Sequence, residues 1–130
     1  MPAQRRRMKP KETAGTNISP DEWGSFLDNF NVRYRGWLTR FETYDVVTGE
    51  RVVSQELPLR SIELDLEDEK NPRINVTVQE DNKLLKHILF RPSRLVLLSS
   101  IDDQEQVLLV ETVNTKTNAR FRPPARLDGP

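Results

Sequence analysis

The side chains able to do chemistry are few. The chain has one histidine, His87, and no cysteine. Thiolate nucleophiles, disulfides and Cys-ligated metal or iron–sulfur sites are therefore excluded, and a single imidazole cannot build a multi-His metal centre. His87 stands between Leu85 and Leu89 in an extended-looking run and would share their face. It reads as a structural histidine, not as a base. No Gly-x-Ser-x-Gly elbow accompanies it, and the five glycines are never grouped into a phosphate-cradling loop or a dinucleotide fingerprint. Glu63, Asp65, Glu67, Asp68 and Glu69 form an acidic cluster. It lacks the alternating oxygen ligands and turn glycine of a calcium loop, so it reads as a solvated strand face. Asn17-Ile18-Ser19 and Asn75-Val76-Thr77 match the glycosylation sequon. With no secretory signal in view, both read as chance matches. No catalytic residue and no metal ligand is expected, and the protein reads as a non-enzyme.

Charge narrows the field further. Twenty Lys and Arg balance twenty Asp and Glu in 130 residues, which argues against a dedicated nucleic-acid binder that works by phosphate neutralisation. Arg5, Arg6, Arg7, Lys9 and Lys11 face only Glu12 in residues 1–16. That stretch reads as a disordered basic arm, with a plastid or mitochondrial presequence as the other reading and the cytoplasm as the expected location. Arg120, Arg122 and Arg126 make a second basic stretch around Phe121. The two stretches could contact RNA or an acidic protein partner, though the acidic middle of the chain and the few aromatics for base stacking make nucleic acid the lesser reading. No apolar run approaches the roughly 20 residues of a membrane-spanning helix.

The elements that would hold these residues read clearly in places. Ser19, Pro20 and Glu22 spell a capping box, with Ile18 and Trp23 at the positions of a hydrophobic staple. Trp23, Phe26, Leu27 and Phe30 follow at i, i+3, i+4 and i+7, which predicts a short helix over 20–29 with one aromatic stripe. Such a helix needs a sheet to cover. From residue 32 the period becomes two. Strands are predicted over 32–45 and 51–57, with Pro58 marking a bulge or an edge. Ile62, Leu64 and Leu66 then alternate with Ser61, Glu63, Asp65 and Glu67, and Ile74, Val76 and Val78 with Asn75, Thr77 and Gln79. Asp81-Asn82 turns the chain into 83–91, where apolar side chains are available to both faces. Shorter strands follow at 95–98, 107–113 and 119–122.

One helix followed by seven or eight consecutive strands predicts a mainly β, antiparallel meander. Short links favour an up-and-down barrel, which leaves no edge exposed, over a Greek-key sandwich or an open half-barrel. The domain should run over residues 17–123, with an irregular tail at 124–130 and the helix stoppering one mouth.

The run Asp21-Glu22-Trp23-Gly24-Ser25-Phe26-Leu27-Asp28-Asn29, followed by Tyr34-Arg35-Gly36-Trp37-Leu38-Thr39-Arg40-Phe41 and by Gly49-Glu50, resembles the opening of a lipocalin-like family. Its members are uncharacterised proteins of cyanobacteria and plastid-bearing organisms in the calycin group, structural neighbours of the phycobiliprotein lyases. The resemblance covers residues 21–50, with a weaker echo at Ser61 to Leu66. It departs at Tyr34, where a Trp is usual, and at Val32, where a Gly is. It implies that Tyr34 closes the barrel floor with an Arg packed over it.

These readings give three functions. The leading one is a non-enzymatic, lipocalin-like barrel that carries a small, mostly apolar ligand; the resemblance implies a tetrapyrrole or a lipid. Its cavity would be lined by Tyr34, Leu38, Arg40, Ile62, Leu64, Ile74, Val76, Ile88 and Phe90. Arg40 would either hold a ligand carboxylate or serve a structural ion pair. The second is an interaction or assembly module with a filled barrel, recognising a protein partner through a sheet edge or its basic arms. The third is a phycobilin lyase-like chromophore chaperone. Interior volume separates the first from the second.

Overall fold

Extended backbone with alternating burial dominates the chain. The computed structural model describes residues 14–99 and 104–124. In chain order these form β1 (Ala14–Ile18), a single 3-10 turn (Pro20–Glu22), α1 (Trp23–Tyr34), β2 (Leu38–Asp45), β3 (Arg51–Val53), β4 (Leu57–Asp65), β5 (Arg73–Glu80), β6 (Lys83–Phe90), β7 (Arg94–Ser99), β8 (Gln106–Glu111) and β9 (Thr115–Arg122). Every strand pairing is antiparallel. The protein is mainly β with one short N-terminal helix, as its residue pattern predicts. Of the predicted basic arm, residues 1–13 lie outside the described residues, as do 125–130 of the predicted tail. Residues 14–16 are not arm but strand, because they pair with Leu97, Leu98 and Ser99 of β7.

The nine strands run in the order β1-β7-β8-β9-β2-β4-β5-β6, with β3 beside β2. The meander thus returns on itself where β9 pairs with β2 over eight positions, from Leu38↔Arg122 to Asp45↔Thr115. It does not close. β1 occupies the edge of β7 that β6 would need, so β6 is left as the last strand of the sheet.

The helix is longer than its first stripe suggests. It runs on to Tyr34, continuing the Trp23, Leu27, Phe30 face, so Val32 and Tyr34 are helical and the first long strand begins at Leu38. Ser19 and Glu22 meet through their side chains at 3.2 Å, without the reciprocal backbone bonds of a capping box. The staple positions are both buried, and Trp23 Nε1 donates to the Ile18 carbonyl at 2.8 Å. Gly36 ends the helical segment at φ +89°, a conformation that favours glycine. Its N–H bonds the Leu59 carbonyl, and the Leu59 N–H bonds the Trp37 carbonyl.

These bonds matter because β2 and β4 pair only at Leu38↔Pro58 and Thr39↔Leu57 before they diverge. A register shift between Leu59 and Ser61 then places Leu59, Ile62 and Leu64 on the core side. The helix enters the gap. Asn31 Nδ2 donates to the Ile62 carbonyl and Asn31 Oδ1 accepts from the Ile62 N–H, both at 2.6 Å. One amide side chain satisfies both backbone groups that a neighbouring strand would otherwise have bonded.

Beneath the helix the concave face of the sheet is packed with side chains. Leu27, Leu59, Ile62, Ile74, Leu95, Leu108 and Phe121 are each no more than 1% exposed. Phe30 meets Phe121 edge-on at 4.9 Å, and the aromatic row continues through Tyr34 at 4.5 Å to Trp37 at 4.7 Å. Each fully buried apolar side chain of this size contributes about 1.5–3 kcal/mol. Replacing Asn31 by Ala should therefore act far above its size. It orphans a donor and an acceptor in a half-buried strand and should cost about 2–3 kcal/mol in urea unfolding. Asn31→Asp keeps the acceptor for the Ile62 N–H but turns a carboxylate oxygen toward the Ile62 carbonyl, and at neutral pH should cost at least as much. A loss below about 0.5 kcal/mol for Asn31→Ala would mean that the clamp carries no stability.

Candidate functional site

The strand β6 (KLLKHILF) carries no carboxylate, and its two faces differ sharply. Leu85, His87 and Leu89 turn toward the core, while Leu84, Lys86, Ile88 and Phe90 face outward. Leu84 is 59%, Ile88 39% and Phe90 55% exposed. On β5 the residues opposite them in register are Gln79, Asn75 and Arg73, so the apolar patch is confined to the last strand.

Backbone direction follows from the turn. Asp81-Asn82 is a two-residue loop between paired Glu80 and Lys83, with Asp81 at φ +53°. The odd-numbered residues of β6 therefore bond β5. The Arg91 N–H, donating to the Pro72 carbonyl at 2.7 Å, continues that series. The N–H and C=O groups of Leu84, Lys86, Ile88 and Phe90 point to the free edge. Among the described residues no strand pairs with them.

Beside this edge lies a groove. A cleft of about 370 Å³ separates His87, Ile88, Leu89 and Phe90 from Thr43, Thr112, Asn114, Thr115 and Thr117. A second, of about 300 Å³, continues around Phe90, Arg91 and Val113. The far wall is uncharged and rich in hydroxyls. Thr43 and Thr117 share a hydrogen bond across β2 and β9 at 3.1 Å, and Thr112 and Thr115 share one at 2.8 Å. His87 stacks on Phe41 with ring centroids 4.1 Å apart. Burial lowers its pKa below the ordinary 6.5, so it is neutral at pH 7.

The convex face of β2, β3 and β9 holds a different cluster. Glu42 is 6% exposed and faces three guanidinium groups: Arg40 and Arg120 at 3.2 Å and Arg51 at 3.7 Å. Arg120 also reaches Glu105 at 3.7 Å. Nearby, Arg122 grips Glu56 through two bonds of 2.7 Å, which hold the Glu56 carboxyl below its usual range and raise Arg122. These pairs tie β9 to β2 and to the β3–β4 link. Among the described residues no group of three or more His, Asp or Glu could hold a metal ion, and no helix is long and apolar enough to cross a membrane.

The residues expected to line one cavity are distributed over four environments. Ile62, Ile74 and Val76 lie at 0–1% exposure in the packed core, and Leu64 packs against it. Tyr34 sits at the end of α1 in the aromatic row, not on the first strand, because the helix continues through it. Leu38 and Arg40 belong to the outward row of β2, since Thr39 and Phe41 take the core side; Arg40 serves the Glu42 cluster and not an interior ligand. Ile88 and Phe90 are outward on β6. These last two meet at one groove, while Tyr34 lines a separate cleft of about 130 Å³ with Phe26, Phe30 and Leu97. Glu42 and the Thr43–Thr117 pair were not singled out by sequence. The available signal was Arg40 and Glu42 two apart on an alternating strand, which puts them on one face.

Residues 14–130 match the family described as Family of unknown function (DUF5335), and the chain belongs to it. No curated protein and no solved structure gives a match.

Two measurements follow. Glu42→Ala leaves three guanidinium groups mutually repelling. Because they are partly exposed, the loss should be about 1–3 kcal/mol, below the roughly 3–5 kcal/mol of a fully buried pair. A variant as stable as the parent would show the cluster to be energetically silent. His87 gives a pH signature. Its folded pKa is depressed, so its contribution is complete above the unfolded value near 6.5 and is lost as pH falls through the folded value. Urea midpoints should therefore decline as pH falls through and below the unfolded value, and His87→Phe should flatten that slope. An unchanged slope in the variant would assign the pH dependence to other groups.

Proposed function

We propose that this protein is a non-enzymatic interaction module: a small open β-barrel, filled by its own side chains, that binds a protein partner along the free edge of β6. One observation carries the reading. Ile62, Ile74 and Val76, the side chains that a ligand carrier would turn toward its cargo, are packed at 0–1% exposure among Leu27, Leu59 and Phe121. To reach those three residues, a tetrapyrrole or a lipid would have to displace the helix face of Trp23, Leu27 and Phe30. The lipocalin-like carrier and the chromophore chaperone both need that space. What the surface offers instead is a strand edge with unspent backbone groups and three exposed apolar side chains, the form in which β-addition partners are recognised.

Titration of the full chain with cis-parinaric acid and with biliverdin tests this. Neither should give saturable, one-to-one binding up to about 50 μM, a range in which a dedicated carrier is already loaded. Stoichiometric binding of either, with chemical-shift changes at Ile62, Ile74 or Val76, would return the carrier reading and remove the module.

A further inference from the structure

The cleft between β6 and the link from β8 to β9 differs in chemistry from the rest of the molecule. Charged residues make up 31% of the chain, yet none of the nine described residues around this space is charged. Four of them are threonines, joined by Asn114 and His87. The volume of about 370 Å³ falls at the small end of the range in which pockets hold ligands, roughly 300–1,000 Å³. No residue of α1 lines it, so a small guest need not displace the helix.

The walls offer hydrogen bonding in both senses. Thr43 and Thr117 share one hydroxyl bond, and Thr112 and Thr115 share another. A hydroxyl carries one proton, so each pair spends one and keeps one to donate, with lone pairs left to accept. The Asn114 side chain and both ring nitrogens of His87 have no hydrogen-bond partner among the described residues. The imidazole is neutral at pH 7 and so presents one donor and one acceptor, while its stack on Phe41 fixes the ring plane.

This lining selects its guest. A carboxylate, phosphate or ammonium group would find no counter-charge in the cleft. A wholly apolar guest would strip water from the hydroxyls and give nothing back. A flat aromatic base would need ring faces, and Phe41 already covers one face of His87 while Arg73 lies over Phe90. A molecule whose own groups both donate and accept can satisfy each member of the wall.

We propose that this cleft is a binding site for a small uncharged polyol, of the size of one sugar ring. Its hydroxyls would bond Thr43, Thr117, Asn114 and His87, and its C–H face would lie toward Leu89. The site goes beyond the strand-edge module and does not rest on it; the pigment and lipid titrations leave it untouched.

Two-dimensional NMR of the full chain, titrated with D-glucose, D-galactose and D-mannose, tests the site. With about twelve non-hydrogen atoms, such ligands bind with Kd of about 1–10 mM. At least one should shift the amides of Thr43, His87, Asn114 and Thr117 saturably. The uronic acid and the amino sugar of the same frame, alike in shape but charged, should bind about fivefold more weakly or worse. Thr117→Val removes a hydroxyl at nearly constant shape and should weaken the sugar about tenfold. Should that variant lose its fold by circular dichroism, Asn114→Ala decides instead: Asn114 is exposed, and its loss should weaken binding about fivefold. A methyl glycoside bound as well as the free sugar would identify the end of a glycan as the guest, and one that fails would identify the free sugar; both support a polyol site. No saturable shift from any of the three sugars up to about 100 mM would overturn the assignment. So would shifts confined to other parts of the molecule, charged analogues bound as tightly as the parent sugar, or binding unchanged in the variants.

Discussion

Each strand has two edges of polar backbone, and what happens to those edges organises this molecule. A buried N–H or C=O without a partner costs about as much as a lost hydrogen bond, so every divergence in the sheet demands a substitute. Where β2 leaves β4, Gly36 and Trp37 bond Leu59, and Asn31 takes both groups of Ile62. Where β7 would meet β6, β1 pairs with β7 over five positions instead. The consequence is passed along the sheet to β6, whose outer edge has no strand beside it among the described residues. The helix clamp and the N-terminal strand thus do more than stabilise. They decide where the ring stays open.

The same constraint accounts for the packing beneath the helix, which leaves a cleft of about 370 Å³ only beyond it, between β6 and Thr43 and Thr117. A helix that must lie close enough for Asn31 to reach β4 brings Trp23, Leu27 and Phe30 over the concave face, where they are 0–5% exposed. Its aromatic row then locks against Phe121 of β9. Part of the volume that a closed eight-strand barrel encloses is taken by the helix. Widening the space would mean moving α1, and that would expose the Ile62 backbone again. Clamp and core packing are therefore coupled, and neither can be relaxed alone.

Local pattern made much of this legible and non-local pairing made the rest opaque. The stripe Trp23, Phe26, Leu27, Phe30 announces a helix because its spacing is internal to the segment, and Asp81-Asn82 announces a hairpin for the same reason. Tyr34 was readable as a continuation of the stripe, four residues after Phe30, but its aromatic neighbours in sequence favour a strand. β1 is different in kind. AGTNI has no strand signature of its own and is ordered by Leu95 to Ser99 of β7. The facing of β6 was equally hidden, since Leu84, Leu85, Ile88 and Leu89 supply apolar side chains to both faces and alternation cannot choose between them. The candidate site inherits that ambiguity. Ile88 and Phe90 were grouped with Ile62 and Ile74 as though all faced one interior, whereas the edge position of β6 turns them out. Glu42 shows the converse: it looks like an ordinary solvent-facing acid until β3 and β9 bring Arg51 and Arg120 to it.

The composition of β6 makes sense as a compromise between two hazards. An edge bearing only Leu, Ile and Phe would pair with any passing strand, its own kind first. An edge bearing only lysines would stay soluble and bind nothing by its surface. Interleaving Lys83 and Lys86 with Leu84, Ile88 and Phe90 leaves the apolar contact available but attaches a charge condition to it. Carboxylates are also at hand. Glu80 stands opposite Lys83 in register, Asp81 is two residues from Lys83, and Lys86 helps to lower the Asp65 carboxyl. Hydrogen bonds from Asn75 and Gln55 leave those carboxylates charged. The edge is thus close to neutral, and its lysines guard against self-pairing while the apolar row remains open to contact.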